Sequence, residues 1–541
     1  MTRGLTLGPV DPHGDLLRDL VHQFSDPFAF YRELIQNSID AGSARIEVRL
    51  RFTPGATTGT ATAVVQDWGE GMNRQVIDQY LLTKFRSSKE HDLTKIGKFG
   101  IGFLSVFAPA PDAVVVETGK DGESWRLLFK PDLTWELLES PEPCEGTTVT
   151  LHKALGASEY LEFAARSEQS VRAWCRHSEA DVAFAAGGPD GAPCPEPALV
   201  REPLAVQSPF QVEYREEGTH IVAGPSPRSP AKVGLYNRGL TLMELEEELV
   251  PGVTFKILSR YLEHTLTRDN VRRDRHFDRA IALVTRLADT ALLERLRREL
   301  KAVAGDPERA EDHLTLLTYA ARRLAPHELW FRSASGAAVG GAAVKETAAR
   351  AGAVLCAPEP GPVTEAIEAA GGAVLLGDTT DPAVEIAART YDSVGATAAP
   401  ARHRFVVARP ETLPEAQALA RAAGELLRIA GAKVHSVMVG RVFDPATAEV
   451  ALRVEGPNLA TSLEHARASP FKVGLAGALC LNTAEPSVAA AVALAARAPD
   501  LAALLLVRRL AVAAGLLTEK LDHKLTERTL ARPTTPDASA S

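Results

Sequence analysis

Three stretches decide the reading of this chain: ELIQNSIDA at 33–41, VVQDWGEGM at 64–72 and IGKFGIGF at 96–103. The first belongs to a helix expected over 28–41, with Asp26 as its N-cap, Pro27 in its first position and Gly42 placed to end it. Phe28, Tyr31, Leu34, Ile35 and Ile39 mark its buried side, while Glu33, Asn37 and Asp40 recur at i, i+4 and i+7 on one polar stripe. For that helix alone, a solvated face explains the stripe as well as a site does. The second stretch ends a strand in Asp67 and continues through Gly69, Gly71 and Met72. A strand-end carboxylate accepts from an exocyclic amine, and glycines let backbone approach a flat ligand. In the third, Gly97, Gly100 and Gly102 open an apolar helical run, where bare N–H groups suit phosphate oxygens. The polar, Lys/Ser-rich residues 72–95 between the second and third stretches have the composition of a lid over a nucleotide.

Around these stretches the alternating ARIEVRLRF at 44–52 predicts a half-buried strand. Further strands are expected at 62–66, 113–118, 125–129 and 147–152, so the first 185 or so residues form an α+β layer. Another helix is expected over 13–24. Residues 187–231 are Gly/Pro-rich and mark a boundary. Strands at 232–236 and 253–258 open a second domain. AVLCAP at 353–358 and AVLLGD at 373–378, separated by a helix, suggest a small parallel β-α-β layer, and Ala-rich helices fill 486–525.

The chain has 541 residues, 45% of them apolar and 24% charged, which excludes a wholly disordered or coiled-coil protein. A net charge of −9 and the lack of a long basic stripe argue against nucleic acid as a partner. Five scattered cysteines fit a reducing cytosol, and charged residues and Pro499 interrupt the most apolar stretch, so no membrane span and a cytoplasmic location are expected.

In their order, the three motifs resemble the ATP-binding fold of gyrase, heat shock protein 90, histidine kinases and MutL, the GHKL or Bergerat class. The nearest likeness is to the heat shock protein 90 family, seen in SDPFAFYRELIQNSIDAG at 25–42 and IGKFGIGFLSVF at 96–107. Residues 232–271, which contain Thr267-Arg268-Asp269, are similar to that family's middle domain. Residues 479–517 are similar to its C-terminal dimerisation region, although Asn482-Thr483-Ala484-Glu485-Pro486 only partly matches the family's Asn-Pro run.

The resemblance implies an ATPase sandwich at 1–185, an α/β middle domain at 200–400, a small α+β dimerisation domain at 401–525 and a disordered tail at 526–541. It implies Glu33 as general base and Asn37 as the holder of Mg²⁺ on ATP. Asp40, Ala41, Asp67, Gly71, Met72 and Thr147 would surround the adenine; Lys98, Phe99, Gly100 and Gly102 would wrap the phosphates. Arg268 would reach the γ-phosphate from the middle domain. The activity implied is an ATP-hydrolysing chaperone clamp that remodels client proteins. A DNA clamp of MutL or MORC type and a non-hydrolysing ATP-binding scaffold are the alternatives. A homodimer is expected through two apolar rows near the C-terminus, one with Leu506, Leu510, Ala513 and Leu517, the other with Leu504, Val507, Ala511 and Ala514.

Overall fold

The computed structural model describes residues 6–7, 21, 26–82, 101–263, 271–392, 397–443, 448–455, 461–467, 469, 471 and 477–531. The chain divides into two units, Met1–Asp289 and Thr290–Ser541. The first unit holds both the expected ATPase layer and the start of the expected middle domain; the break at 289/290 falls inside the stretch expected at 200–400.

The main elements of the ATPase layer are β1 (Thr6–Leu7), α1 (Ala29–Asp40), β2 (Arg45–Thr53), β3 (Gly59–Asp67), β4 (Ala113–Lys120), β5 (Glu123–Phe129), β6 (Trp135–Glu139), β7 (Gly146–Leu155), α2 (Ala157–Cys175), β8 (Asp181–Ala186) and β9 (Ala198–Leu199). They build one nine-stranded sheet in the order β1-β6-β5-β4-β7-β3-β2-β8-β9. Neighbours run antiparallel except β2 and β8, which pair in parallel with Ile46 beside Val182. Alternation drives the layering: Ile46, Val48, Leu50 and Phe52 of β2 are buried while Arg45, Arg51 and Thr53 are exposed. One face of the sheet therefore needs a cover.

Helices α1 and α2 pack together in that cover. Tyr31, Leu34, Ile35 and Ile39 of α1 are buried as the spacing predicts, as is Phe28 just before it, and Phe30 is buried with them. The Tyr31 hydroxyl donates to Ser167 Oγ at 3.0 Å, and the Arg32 guanidinium lies 4.3 Å from the Trp174 ring centre. Asp26 is not the N-cap as expected: Phe28 holds that position without a side-chain cap, and the Asp26 Oδ1 accepts from Phe28 N at 3.0 Å in the turn before the helix proper begins at Ala29. Gly42, at φ +76°, ends α1 as expected. The helix expected over 13–24 lies, apart from Val21, outside the described residues.

A second sheet in this unit is formed by β10 (Val212–Glu216), β11 (Thr219–Pro225), β12 (Lys232–Asn237), β13 (Leu240–Glu246) and β14 (Val253–Ser259), ordered β10-β11-β14-β12-β13. Helix α3 (Arg275–Asp289) packs on β11 and β14.

In the second unit, strands at Ala353–Ala357, Leu375–Leu376 and Thr397–Pro400 make the expected small parallel layer, with Cys356 beside Leu375. The AVLLGD strand is only two residues long. A five-stranded sheet over Phe405–Asn482 carries α4 (Pro414–Ile429), α5 (Pro486–Ala495), α6 (Pro499–Ala513) and α7 (Glu519–Leu530).

The rows expected to form a dimer face are largely covered within this unit. Leu504, Leu506, Val507 and Ala511 are buried, and Leu510 and Leu517 are partly so, against the apolar sides of α4, α5 and α7. Three- and four-residue periodicity reports an apolar face, and here the core takes it. Leu501, Leu505, Val512 and Leu516, on and just after α6, are exposed instead. Of the tail expected at 526–541, residues 526–530 complete α7, and 532–541 lie outside the described residues.

Candidate nucleotide site

Strand β3 ends in Asp67, whose side chain is 6% exposed. No cation neutralises it within 4.0 Å among the described residues; uncharged donors surround it instead. Ser38 Oγ on α1 donates to Oδ2 at 2.8 Å, while Gly69 N and Thr147 N point at Oδ1 from 2.9 and 3.3 Å. An ionised carboxylate has about four acceptor positions, so three donors leave room for one more.

The floor beside Asp67 is backbone. Gly71 has φ +63°, and a Cβ there would stand 2.0 Å from Gly119 O. Gly146 has φ +72°, and a Cβ there would stand 2.2 Å from Asp67 O. Both positions therefore require glycine on steric and conformational grounds. Gly69 backs onto Ala41, whose carbonyl accepts from Glu70 N at 2.9 Å, which joins the end of α1 to the turn after β3.

Thr118, 1% exposed on β4, completes the set. Its Oγ1 receives Met72 N at 2.9 Å and lies 2.9 Å from Thr147 Oγ1. The β4–β7 register, which sets Thr118 opposite Thr147, makes this possible. Asp67, Gly71, Met72 and Thr147 are thus brought together, and Ala41 closes one side through Gly69.

On α1, Glu33 is 5% exposed and Asn37 is exposed one turn later on the same stripe. Asp40 is exposed and turned to other partners: its Oδ1 accepts from Arg238 Nη1 at 3.2 Å, and its Oδ2 from Gln36 Nε2 at 3.2 Å. Gly102 is buried at the start of the short helix Ile101–Leu104, and its carbonyl accepts from Ser105 Oγ. Lys98, Phe99 and Gly100 lie outside the described residues, as do Gly97, most of the expected lid and Arg268.

Sequence reading missed Ser38 and Thr118. Ser38 carried a usable signal, because it sits inside ELIQNSIDA facing the strand end. Thr118 carried none, because only the sheet register places it there.

Residues 29–140 match the family model described as histidine kinase-, DNA gyrase B-, and HSP90-like ATPase. The N-terminal domain is of this ATPase class. The chain is also similar to chaperone protein HtpG of several bacteria. It is 32% identical to that of Methylococcus capsulatus over 192 residues, covering 29% of each chain. To that of Methylobacterium nodulans it is 31% identical over 220 residues, covering 36% of this chain and 35% of the relative. To that of Rhodospirillum rubrum it is 31% identical over 209 residues, covering 33% and 32%. The chain thus spans about a third of the length of the curated relatives it matches. Among the described residues no helix is long and apolar enough to cross a membrane.

Proposed function

We propose that this protein is an ATP-driven conformational clamp of chaperone type, acting in the cytoplasm on client proteins. The observation that carries the proposal is Asp67: a buried carboxylate that, among the described residues, has three uncharged donors and room for a fourth, above a floor where Gly71 and Gly146 exclude side chains. A flat base with an exocyclic amine satisfies that acceptor, and the bare backbone admits its ring. Similarity to HtpG chaperones supports the reading.

Around the bound nucleotide, Glu33 takes the proton of the attacking water. The Asn37 side-chain carbonyl, one turn on and exposed, suits a Mg²⁺ ion on the phosphates, since this cation prefers oxygen donors and keeps several waters. When bound, that ion supplies charge neutralisation. Gly102, with Lys98, Phe99 and Gly100, wraps the phosphates, and Arg268 adds positive charge at the γ-phosphate. The exposed Leu501, Leu505, Val512 and Leu516 serve as the contact of a homodimer, replacing the rows the core has taken.

ATP turnover measured alone, with an aggregation-prone client and with duplex DNA tests the reading. Turnover with client-dependent change is expected. Stimulation by DNA alone would favour the DNA clamp, and binding without turnover would favour the scaffold. Light scattering of Leu505→Glu/Val512→Glu should show a monomer where the parent chain is a dimer.

A further inference from the structure

A cavity of about 290 Å³ lies away from the nucleotide site, between the end of α2 and the second sheet. Its floor is β12 and β14 at Val233, Gly234, Thr254 and Phe255, and its rim is formed by 205–207 and 226–228. Four cations line it, Arg176, Arg228, Lys232 and Lys256, against one carboxylate, Glu244. In a chain of net charge −9 this is a local reversal of sign.

The acid is already engaged. Glu244 accepts from the Tyr236 hydroxyl on one oxygen and from Arg176 Nη2 on the other. Burial raises the Glu244 carboxyl, but Tyr236 and Arg176 outweigh it and hold the group below its ordinary value.

Three of the four cations are not matched. Arg228, Lys232 and Lys256 have no carboxylate within 4.0 Å among the described residues, although most ion pairs in this unit use arginine. Lys256 instead donates to His177 Nε2 at 3.0 Å, and His177 Nδ1 faces Glu202 O at 3.0 Å. A ring that donates through Nδ1 and accepts through Nε2 is neutral, so it orients the ammonium without cancelling its charge. Burial, with Arg176 nearby, pulls the Lys256 ammonium below its ordinary value. Arg176 Nε is buried with no hydrogen-bond partner among the described residues.

Of the four, Lys256 is half-buried without a carboxylate partner, and such a cation is unfavourable in a folded chain unless something fills the space beside it. Two guanidinium forks and two ammonium groups around one concavity match a tetrahedral, multiply charged oxyanion. The volume is at the lower end for small-molecule sites, which run from about 300 Å³ upward. A single concave cluster, rather than a stripe, does not track a polymer backbone.

We propose that this cavity binds a small phosphorylated ligand carrying two or more negative charges, gripped by Arg176, Arg228, Lys232 and Lys256. Such a ligand bridges α2, which packs on α1, to the second sheet, and so stiffens the first unit.

The test uses the full chain and inorganic pyrophosphate at constant ionic strength, followed by calorimetry and by thermal unfolding, with citrate in a parallel titration. Pyrophosphate should bind and raise the unfolding temperature. Lys256→Met should weaken it at least tenfold while ATP affinity stays unchanged. Because Lys256 is half-buried, the double variant Arg228→Ser/Lys232→Ser, at two exposed rim positions, provides a second readout with little effect on folding. Parent-like pyrophosphate affinity in both variants would place the anion elsewhere, at the nucleotide site for instance, and overturn the proposal. No binding by the parent chain would overturn it as well. Equal affinity for citrate would overturn the phosphoryl class.

Discussion

Asp67, the last residue of a strand, and Glu485, three residues past one, are both buried carboxylates, 6% and 8% exposed, yet they sit in regions built for different ends. Glu485 follows the strand Ala478–Asn482 and caps α5. It accepts from Ser487 N at 2.9 Å, from Val488 N at 3.1 Å and from the Ser487 hydroxyl, and it pairs with Arg509 at 3.0 Å. Four donors meet it, three on Oε2 and Arg509 on Oε1, and the charge is neutralised. Asp67 has three uncharged donors, no cation among the described residues and a bare glycine floor beside it. A saturated buried acid holds a helix start in place; an unsaturated one waits for a donor. Burial alone does not separate the two, whereas counting donors and cations does.

The sharpest break of this comparison is Asp67→Asn. The amide presents N–H donors where the adenine amine needs an acceptor, so nucleotide binding by calorimetry should be lost while the fold persists. Retained affinity would move the adenine elsewhere. Glu33→Ala is next: ATP binding should be kept, with turnover lowered on the order of 10²-fold, as for a lost general base. Parent-like turnover would show that another group activates the water.

Glu485→Gln tests the other member of the pair. It removes the charge that Arg509 and the α5 amides meet, so unfolding should cost about 2 kcal/mol less in denaturant titration, with ATP affinity unchanged. Burial raises the Glu485 carboxyl, but Ser487 and Arg509 outweigh it and bring the group below its ordinary 4.5. A depressed carboxyl contributes stability in full above that ordinary value and loses it as pH falls through the lower folded one. The difference between parent and variant should therefore narrow on acidification below about pH 4.5. A gap that widened there would contradict the assignment. The smallest effect belongs to Ser38→Ala, which removes one donor from Asp67. ATP affinity should weaken about fivefold, near 1 kcal/mol. A change in unfolding temperature with no change in affinity would make Ser38 a packing residue only.

Much of the first unit was readable before folding. The alternation in 44–52 and the stripe on α1 depend on periods of 2 and 3.6, which are local properties of the chain, and the structure returns them within a residue or two. Asp67, Gly71 and Met72 were legible for the same reason, being contiguous at a strand end. Thr118 was not legible, because its place opposite Thr147 comes from pairing β4 with β7. The dimer rows failed differently: the period of α6 was read correctly, but which side the domain covers depends on α4, α5 and α7.

By itself, then, the sequence determined the helix and strand periods, the order of the three glycine- and acid-bearing motifs, and hence the class of the N-terminal domain. Tertiary structure alone decided that Ser38 and the Thr147 amide meet the Asp67 carboxylate, that Asp40 faces Arg238, and that four cations separated by up to 80 residues surround one cavity. The physical reason is range. Backbone periodicity and turn chemistry act over a few residues, whereas strand register and helix packing bring donors and charges together irrespective of their distance along the chain.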